Sequence, residues 1–210
     1  MLIHNARLTS THPYSSHPIT WPFVVRGISY WETKTNWRQI YVLGNPLIWW
    51  TTIAGVALFG GLYIMDLLLL RRGVDEFGTE TRRWWIRTTG FLSLAWACHY
   101  IPFFLMGRQL FLHHYMPAFI FSTLVLATLV DFIFRVSLVT AHRRGETGMH
   151  WNARRFGGFG IWVFVVGVLT VFTISFWYFS PLSYGTPFDE LESLERRKWF
   201  KSWDIQHARK

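Results

Sequence analysis

Four apolar runs, each about the twenty or more residues needed to cross a bilayer as helix, alternate with short charged connections. The pattern predicts spanning helices over residues 47–70, 84–106, 110–134 and 156–179. Lipid offers the backbone no hydrogen-bond partner, so such runs must be helical. The last is free of charge, the first carries only Asp66, the second Arg87 and His99, and the third begins with His113 and His114 and closes with Asp131. Trp49, Trp50, Trp84, Trp85, Trp177 and Tyr178 fall at the ends of these runs, where amphipathic rings favour the headgroup level. Residues 1–46 form a polar flank with an interfacial part, and residues 180–210 a second flank. In the latter, Thr186, Pro187 and Asp189 predict a capped helix start. Phe188, Leu191, Leu194, Trp199 and Trp203 fall on one side of that helix and Glu192, Arg196 and Arg197 largely opposite, the pattern of a helix lying in the membrane interface.

Composition agrees with a membrane-spanning all-α chain. Of 210 residues, 51% are hydrophobic and 19% aromatic, and only 16% are charged, too few for a soluble globule of this size. The net charge of +9 is assigned to membrane flanks, so nucleic acid is excluded as a partner. The connection after the first run, with the start of the second, holds Arg71, Arg72, Arg82, Arg83 and Arg87. The connection after the third holds Arg135, Arg143, Arg144, Arg154 and Arg155. Cytoplasmic loops retain such residues, so both termini and the link containing Arg108 are expected on the opposite, luminal or extracellular, side. The first flank has no apolar core of a signal peptide. Carrying it across a membrane needs an upstream signal, and the expectation is a carboxyl-terminal piece of a longer membrane protein.

Candidate chemistry concentrates in Met106–Ala118. Arg108 offers a permanently charged fork, His113 and His114 ring donors, and Tyr115 a hydroxyl, while Pro117 suits the first turn of a helix. Together they fit a lipid phosphate at headgroup depth, although an arginine snorkelling to ordinary headgroups explains the same residues. Metal is not expected, since the adjacent histidines point about 100° apart and lack an acidic or thiol partner at ligand spacing. Asp66 is expected to pair with Arg71 or Arg72, and Asp131 with Arg135 at i, i+4. The glycines of the first and fourth runs permit close helix contact. No carboxylate stands out as a catalytic base: Glu32, Asp189, Glu190, Glu192, Glu195 and Asp204 are explained by capping and solvation, so no catalytic residue is assigned. Cys98, the single cysteine, forms no intrachain disulfide.

Three motifs in order, SSHPITWPFVVRGISYW, GNPLIWW and GRQLFLHHYMPA, resemble the carboxyl-terminal four-span region of the dolichyl-phosphate-mannose protein O-mannosyltransferases, most similarly the fungal type-four branch. The resemblance implies part of a larger GT-C type glycosyltransferase of the endoplasmic reticulum membrane. It further implies transfer of mannose, with inversion, from dolichyl phosphate mannose to Ser or Thr of secretory and membrane proteins, with a homodimer or a related mannosyltransferase subunit as possible partner. Such enzymes carry an Asp-Glu catalytic loop and a MIR domain that this sequence does not contain, so the chain alone is expected to be inactive. By the resemblance, Arg108, His113, His114 and Tyr115 are candidates for the donor phosphate site, with Pro117 structural, and no further cofactor is implied. A non-catalytic scaffold or dimerisation module is the alternative. A small transporter fits less well, because the first and fourth runs lack central buried charges.

Overall fold

The computed structural model describes residues 12–33, 38–75, 77–143, 150–188 and 190–205, with side chains described outside 135–158. A two-stranded antiparallel hairpin, β1 (Ile28–Glu32) and β2 (Gln39–Val42), precedes the helices. These are α1 (Pro46–Arg71), α2 (Thr79–Tyr100), α3 (Met116–Arg143), α4 (His150–Tyr184) and the short α5 (Leu191–Glu195), with 3-10 turns at Pro18–Thr20, Ile101–Leu105 and Leu112–Tyr115. Among the described residues, Pro46–Arg71, Leu112–Phe134 and Phe159–Tyr184 are long and apolar enough to cross a membrane. The first turns of α2 carry Glu80, Arg82, Arg83 and Arg87, which lowers its hydropathy.

Prolines and a glycine set the helix ends. Pro102 lacks an N–H and restricts Ile101, so the second apolar run leaves α geometry at Tyr100 and continues as the Ile101–Leu105 turn. Within α4, Pro181 cannot donate to the carbonyl of Trp177, and the Ser180 hydroxyl donates to it instead at 2.8 Å. Gly185, at φ 62°, closes α4 with a left-handed cap, and the Thr186 N–H returns to the Pro181 carbonyl at 3.2 Å. Thr186 is therefore spent on ending α4. The helix expected after it is confined to Leu191–Glu195, where Glu190 is the cap residue and makes no side-chain capping bond. Asp189 lies outside the described residues.

The chain divides into two compact units. One comprises Thr51–Ala97 and Ile120–Val171. Here Trp85 stacks on Phe132 at 4.3 Å between ring centroids, and Phe59 and Phe77 meet Trp85 edge-on at 5.2 and 6.0 Å. Between spanning helices lipid removes most of the hydrophobic driving force, so contacts of this kind and polar bonds hold helices together. The Thr89 and Thr128 hydroxyls bond between α2 and α3 at 3.1 Å. Gly55 lets α1 approach Leu126, where a Cβ would come within 3.1 Å, whereas Gly60, Gly61, Gly160 and Gly167 face open space. Asp66, 1% exposed, accepts from Arg82 Nε at 2.8 Å and Nη2 at 3.0 Å, and Asp75 accepts from the same Nη2 at 2.7 Å. The partner of Asp66 is thus Arg82, across the α1–α2 turn, in place of the neighbouring Arg71 or Arg72. The proposed partner of Asp131, Arg135, has a side chain outside the described residues, as do Arg143, Arg144, Arg154 and Arg155.

The other unit comprises Met1–Trp50, Cys98–Phe119 and Phe172–Lys210. Its hairpin pairs Ile28 with Val42 and Glu32 with Gln39, with a bulge between Ser29 and Trp31. The hairpin binds the chain's tail. The Trp203 indole donates to the Val24 carbonyl at 2.8 Å, Arg26 pairs with Asp204 at 3.0 Å, and Arg38 donates to the Gly185 carbonyl at 3.0 Å. Val24 has φ 54°, a costly conformation for a β-branched residue, held by a fully buried side chain and the Trp203 bond. Phe188, Leu194, Trp203 and Ile205 are buried here, so much of the apolar side of the tail packs on protein. Asn45 caps α1 by accepting from the Leu47 N–H at 3.1 Å, and it also accepts from Ser175 at 2.9 Å and donates to the Phe172 carbonyl at 3.3 Å.

Tyr41, on β2, is fully buried, its hydroxyl accepting the N–H groups of Gly27 at 3.1 Å and Asp204 at 3.2 Å. A Cβ on Gly27 would strike its ring at 2.4 Å, so glycine is required there. Burial pushes the Tyr41 phenol up to about 12, against the opposing pull of those two N–H groups. A raised folded value means that this contribution is complete below the ordinary value of about 10 and is lost as pH climbs from there toward 12, by up to about 1.4 kcal/mol per pH unit. Thermal melts in detergent are expected to fall in midpoint over that window, and Tyr41→Phe to flatten the fall. An unchanged profile in the Phe variant would remove Tyr41 as its source.

Candidate lipid-phosphate site

The predicted site residues lie on the loop from the Ile101–Leu105 turn to the start of α3, all within one unit. Phe111 is extended, at φ −139° and ψ 157°, and the chain then tightens into the turn Leu112–Tyr115, where the His114 N–H donates to the Phe111 carbonyl at 3.0 Å. The third helix therefore begins at Met116, later than the apolar run, with Pro117 as its second residue. Pro117 needs no amide partner there, which is why it is tolerated.

The turn sets the two histidines side by side. Their rings lie 4.4 Å apart at 23°, and Phe111 stacks on His113 at 5.7 Å. His114 Nδ1 sits 3.2 Å from the Phe111 nitrogen and 3.0 Å from its carbonyl oxygen, so the ring's orientation is fixed by its own turn. His113 is exposed and His114 half-buried. Arg108 is also half-buried, close enough for its charge to act on His114, and among the described residues it makes no hydrogen bond or ion pair. Tyr115 is placed differently: only 1% exposed, it is wedged between Tyr100 at 5.0 Å and Trp49 at 5.3 Å. Trp49 is itself buried, as is Trp85 in the other unit, so these two serve as core, whereas Trp177 remains exposed.

Sequence reasoning about chemistry passed over the strap of residues 12–25 that backs this loop. The Ser16 N–H donates to the Leu110 carbonyl at 2.8 Å, and the Tyr100 hydroxyl donates to the Pro18 carbonyl at 2.9 Å. Trp21 is fully buried, donates from Nε1 to Ser16 Oγ at 2.9 Å, meets Phe103 edge-on at 5.3 Å and lies nearly parallel to His114 at 6.1 Å. The only local signal was the aromatic and proline content of SSHPITWP. Two of the carboxylates weighed as bases are engaged in ion pairs, Asp204 with Arg26 at 3.0 Å and Glu192 with Arg196 at 2.7 Å, and Asp66 is taken up by Arg82.

Comparison with known proteins agrees with this architecture. The family described as the C-terminal four TMM region of protein-O-mannosyltransferase matches residues 1–203. Dolichyl-phosphate-mannose--protein mannosyltransferase 4 of Schizosaccharomyces pombe is 32% identical over 100% of this chain and 28% of its own length. The protein of the same name from Saccharomyces cerevisiae is 35% identical over 95% and 27%. The solved S. cerevisiae protein O-mannosyltransferase Pmt1-Pmt2 complex, bound to the sugar donor, superposes with a TM-score of 0.77 at 34% identity, over 95% of this chain and 25% of that one. The chain spans about a quarter of the length of these relatives. With its motifs, its long apolar helices and nearly its whole length matched, the chain belongs to the protein O-mannosyltransferase family, as the carboxyl-terminal membrane region.

Proposed function

We propose that Arg108, His113 and His114 bind the phosphate of dolichyl phosphate mannose, and that the chain serves mannose transfer to Ser or Thr of secretory and membrane proteins in the endoplasmic reticulum. The observation that carries this reading is Arg108 itself: a half-buried guanidinium with no internal anion among the described residues, beside two stacked imidazoles. A buried or half-buried fork without a carboxylate partner is complementary to an anionic ligand. When the mannosyl bond breaks, charge accumulates on the departing phosphate, and pre-placed donors stabilise it there. Tyr115, Trp49 and Tyr100 keep the turn rigid, and a carboxylate supplied elsewhere deprotonates the acceptor hydroxyl. The arginine-rich connections on either side of this loop support a luminal placement for the site and both termini.

The test is binding of a short-chain polyprenyl phosphate to the full chain in phosphatidylcholine nanodiscs. Removing one charge-assisted partner is expected to weaken affinity roughly 10- to 100-fold in Arg108→Ala. Equal affinity for wild type and a folded Arg108→Ala variant would overturn the assignment.

A further inference from the structure

The strap that backs the loop carries two more exposed histidines, His12 and His17. The Tyr14 N–H donates to His12 Nδ1 at 3.2 Å, and the Ile19 N–H donates to His17 Nδ1 at 3.4 Å. A ring nitrogen that accepts a hydrogen bond does not carry the proton, so each neutral ring holds its proton on Nε2. Among the described residues neither Nε2 has a protein partner. Both rings abut the same loop: His12 meets Phe111 edge-on at 5.1 Å and 82°, and His17 meets Phe104 edge-on at 5.7 Å and 77°. Between them the Ser16 N–H is bonded to the Leu110 carbonyl, which holds the strap in register with the loop.

The loop carries Arg108, His113 and His114, and the strap packed on its Phe111 and Phe104 carries His12 and His17; all five offer N–H donors, and among the described residues no carboxylate lies within ion-pair distance of any of them. A rim of donors without acceptor-only groups fits a phosphate ester better than a sugar hydroxyl or a cation, each of which needs acceptors. We propose that His12 and His17 are additional phosphate-binding residues, extending the Arg108 rim with two donors whose tautomer the strap's own backbone fixes. This deepens the reading of the rim as a lipid-phosphate site and rests on it. The phosphate is that of a polyprenyl donor or of an ordinary phospholipid headgroup, and the two sources are separable by experiment.

The full chain is placed in phosphatidylcholine nanodiscs and titrated with a short-chain polyprenyl phosphate, and in parallel with phosphatidic acid. The variants are the double substitutions His12→Phe with His17→Phe, His12→Gln with His17→Gln, and His12→Asn with His17→Asn. Phenylalanine keeps the edge contacts and removes the donor, glutamine places an amide near the Nε2 position, and asparagine mimics Nδ1 alone. Loss of two donors is expected to weaken binding about tenfold or more in the Phe and Asn pairs, with substantial recovery in the Gln pair. If the Phe pair does not fold, the Gln and Asn pairs decide by the same comparison. Wild-type affinity in all three pairs, while Arg108→Ala still loses binding, overturns the role of His12 and His17 and leaves the reading of Arg108 standing. Histidine-dependent binding of phosphatidic acid without binding of polyprenyl phosphate supports the two donors and refutes the dolichyl assignment. Absence of binding to either lipid overturns both.

Discussion

Replacing Arg82 with methionine is expected to destabilise the α1–α2 hairpin by about 3–5 kcal/mol, the usual cost of leaving a buried charge without its partner. Asp66 is 1% exposed and Arg82 meets it through two nitrogens, so removing the guanidinium takes away the main partner of a carboxylate that the fold keeps largely from water. Methionine keeps most of the stem's packing and isolates the electrostatic part. The double variant Asp66→Asn with Arg82→Met, which removes both charges, is expected to recover much of the loss, because a neutral pair avoids the desolvation that ionised groups suffer. Arg82→Lys falls between, since a point charge cannot reproduce the forked contact or reach Asp66 and Asp75 together. Denaturant unfolding in detergent, followed by near-ultraviolet signals from the Trp85 cluster, measures all three. A double variant as unstable as Arg82→Met would show that packing, and not the isolated carboxylate, sets the cost.

Trp21→Ala is expected to cost a similar amount, about 3–5 kcal/mol, because it empties the centre of the strap's packing. Trp21 touches Tyr100, Phe103 and His114 and bonds Ser16, so its removal loosens both edges of the loop that bears the histidines. Two measurements separate stability from site geometry. Limited proteolysis is expected to cut within residues 12–25 in the variant before it cuts elsewhere, and polyprenyl phosphate binding is expected to weaken although Arg108 is untouched. Trp21→Phe keeps one ring in the cluster but loses the Ser16 bond and part of the indole's volume, so it is expected to lie near wild type for binding and roughly 1–3 kcal/mol lower in stability. Wild-type proteolysis and binding in Trp21→Ala would mean that the strap is held without Trp21, by the Ser16 N–H bond to the Leu110 carbonyl and the Tyr100 hydroxyl bond to the Pro18 carbonyl.

These two residues also mark the boundary between local and long-range information. Hydropathy and chain-breaking residues determined the helices: a run of twenty apolar residues must satisfy its backbone internally, Pro102 and Gly185 end helices through their own covalent geometry, and Pro117 belongs in a first turn. The same local logic marked Arg108, His113 and His114 as unusual side chains for the edge of an apolar run. Tertiary structure decided their setting. Asp66 passes over Arg71 and Arg72 for Arg82, because the α1–α2 turn brings a forked donor to a buried carboxylate while its neighbours along the helix stay exposed. The β-hairpin, in a flank read from sequence only as polar and interfacial, gains its stability from Trp203 and Asp204, more than 160 residues away by the 163-residue separation of Tyr41 from Asp204, and no local period encodes such a contact. The tail helix is short, and Leu194 and Trp203 are packed on protein where a continuous interfacial helix would lay its apolar side in lipid headgroups. Tyr115 is read from the sequence for its hydroxyl, and the fold adds that its ring is buried between Trp49 and Tyr100, because burial depends on which rings the fold brings around it. Placement of the long helices is thus largely a property of the chain's own composition, whereas the extent of the tail helix, pairing, burial and the assembly of the strap against the histidine turn belong to the folded chain.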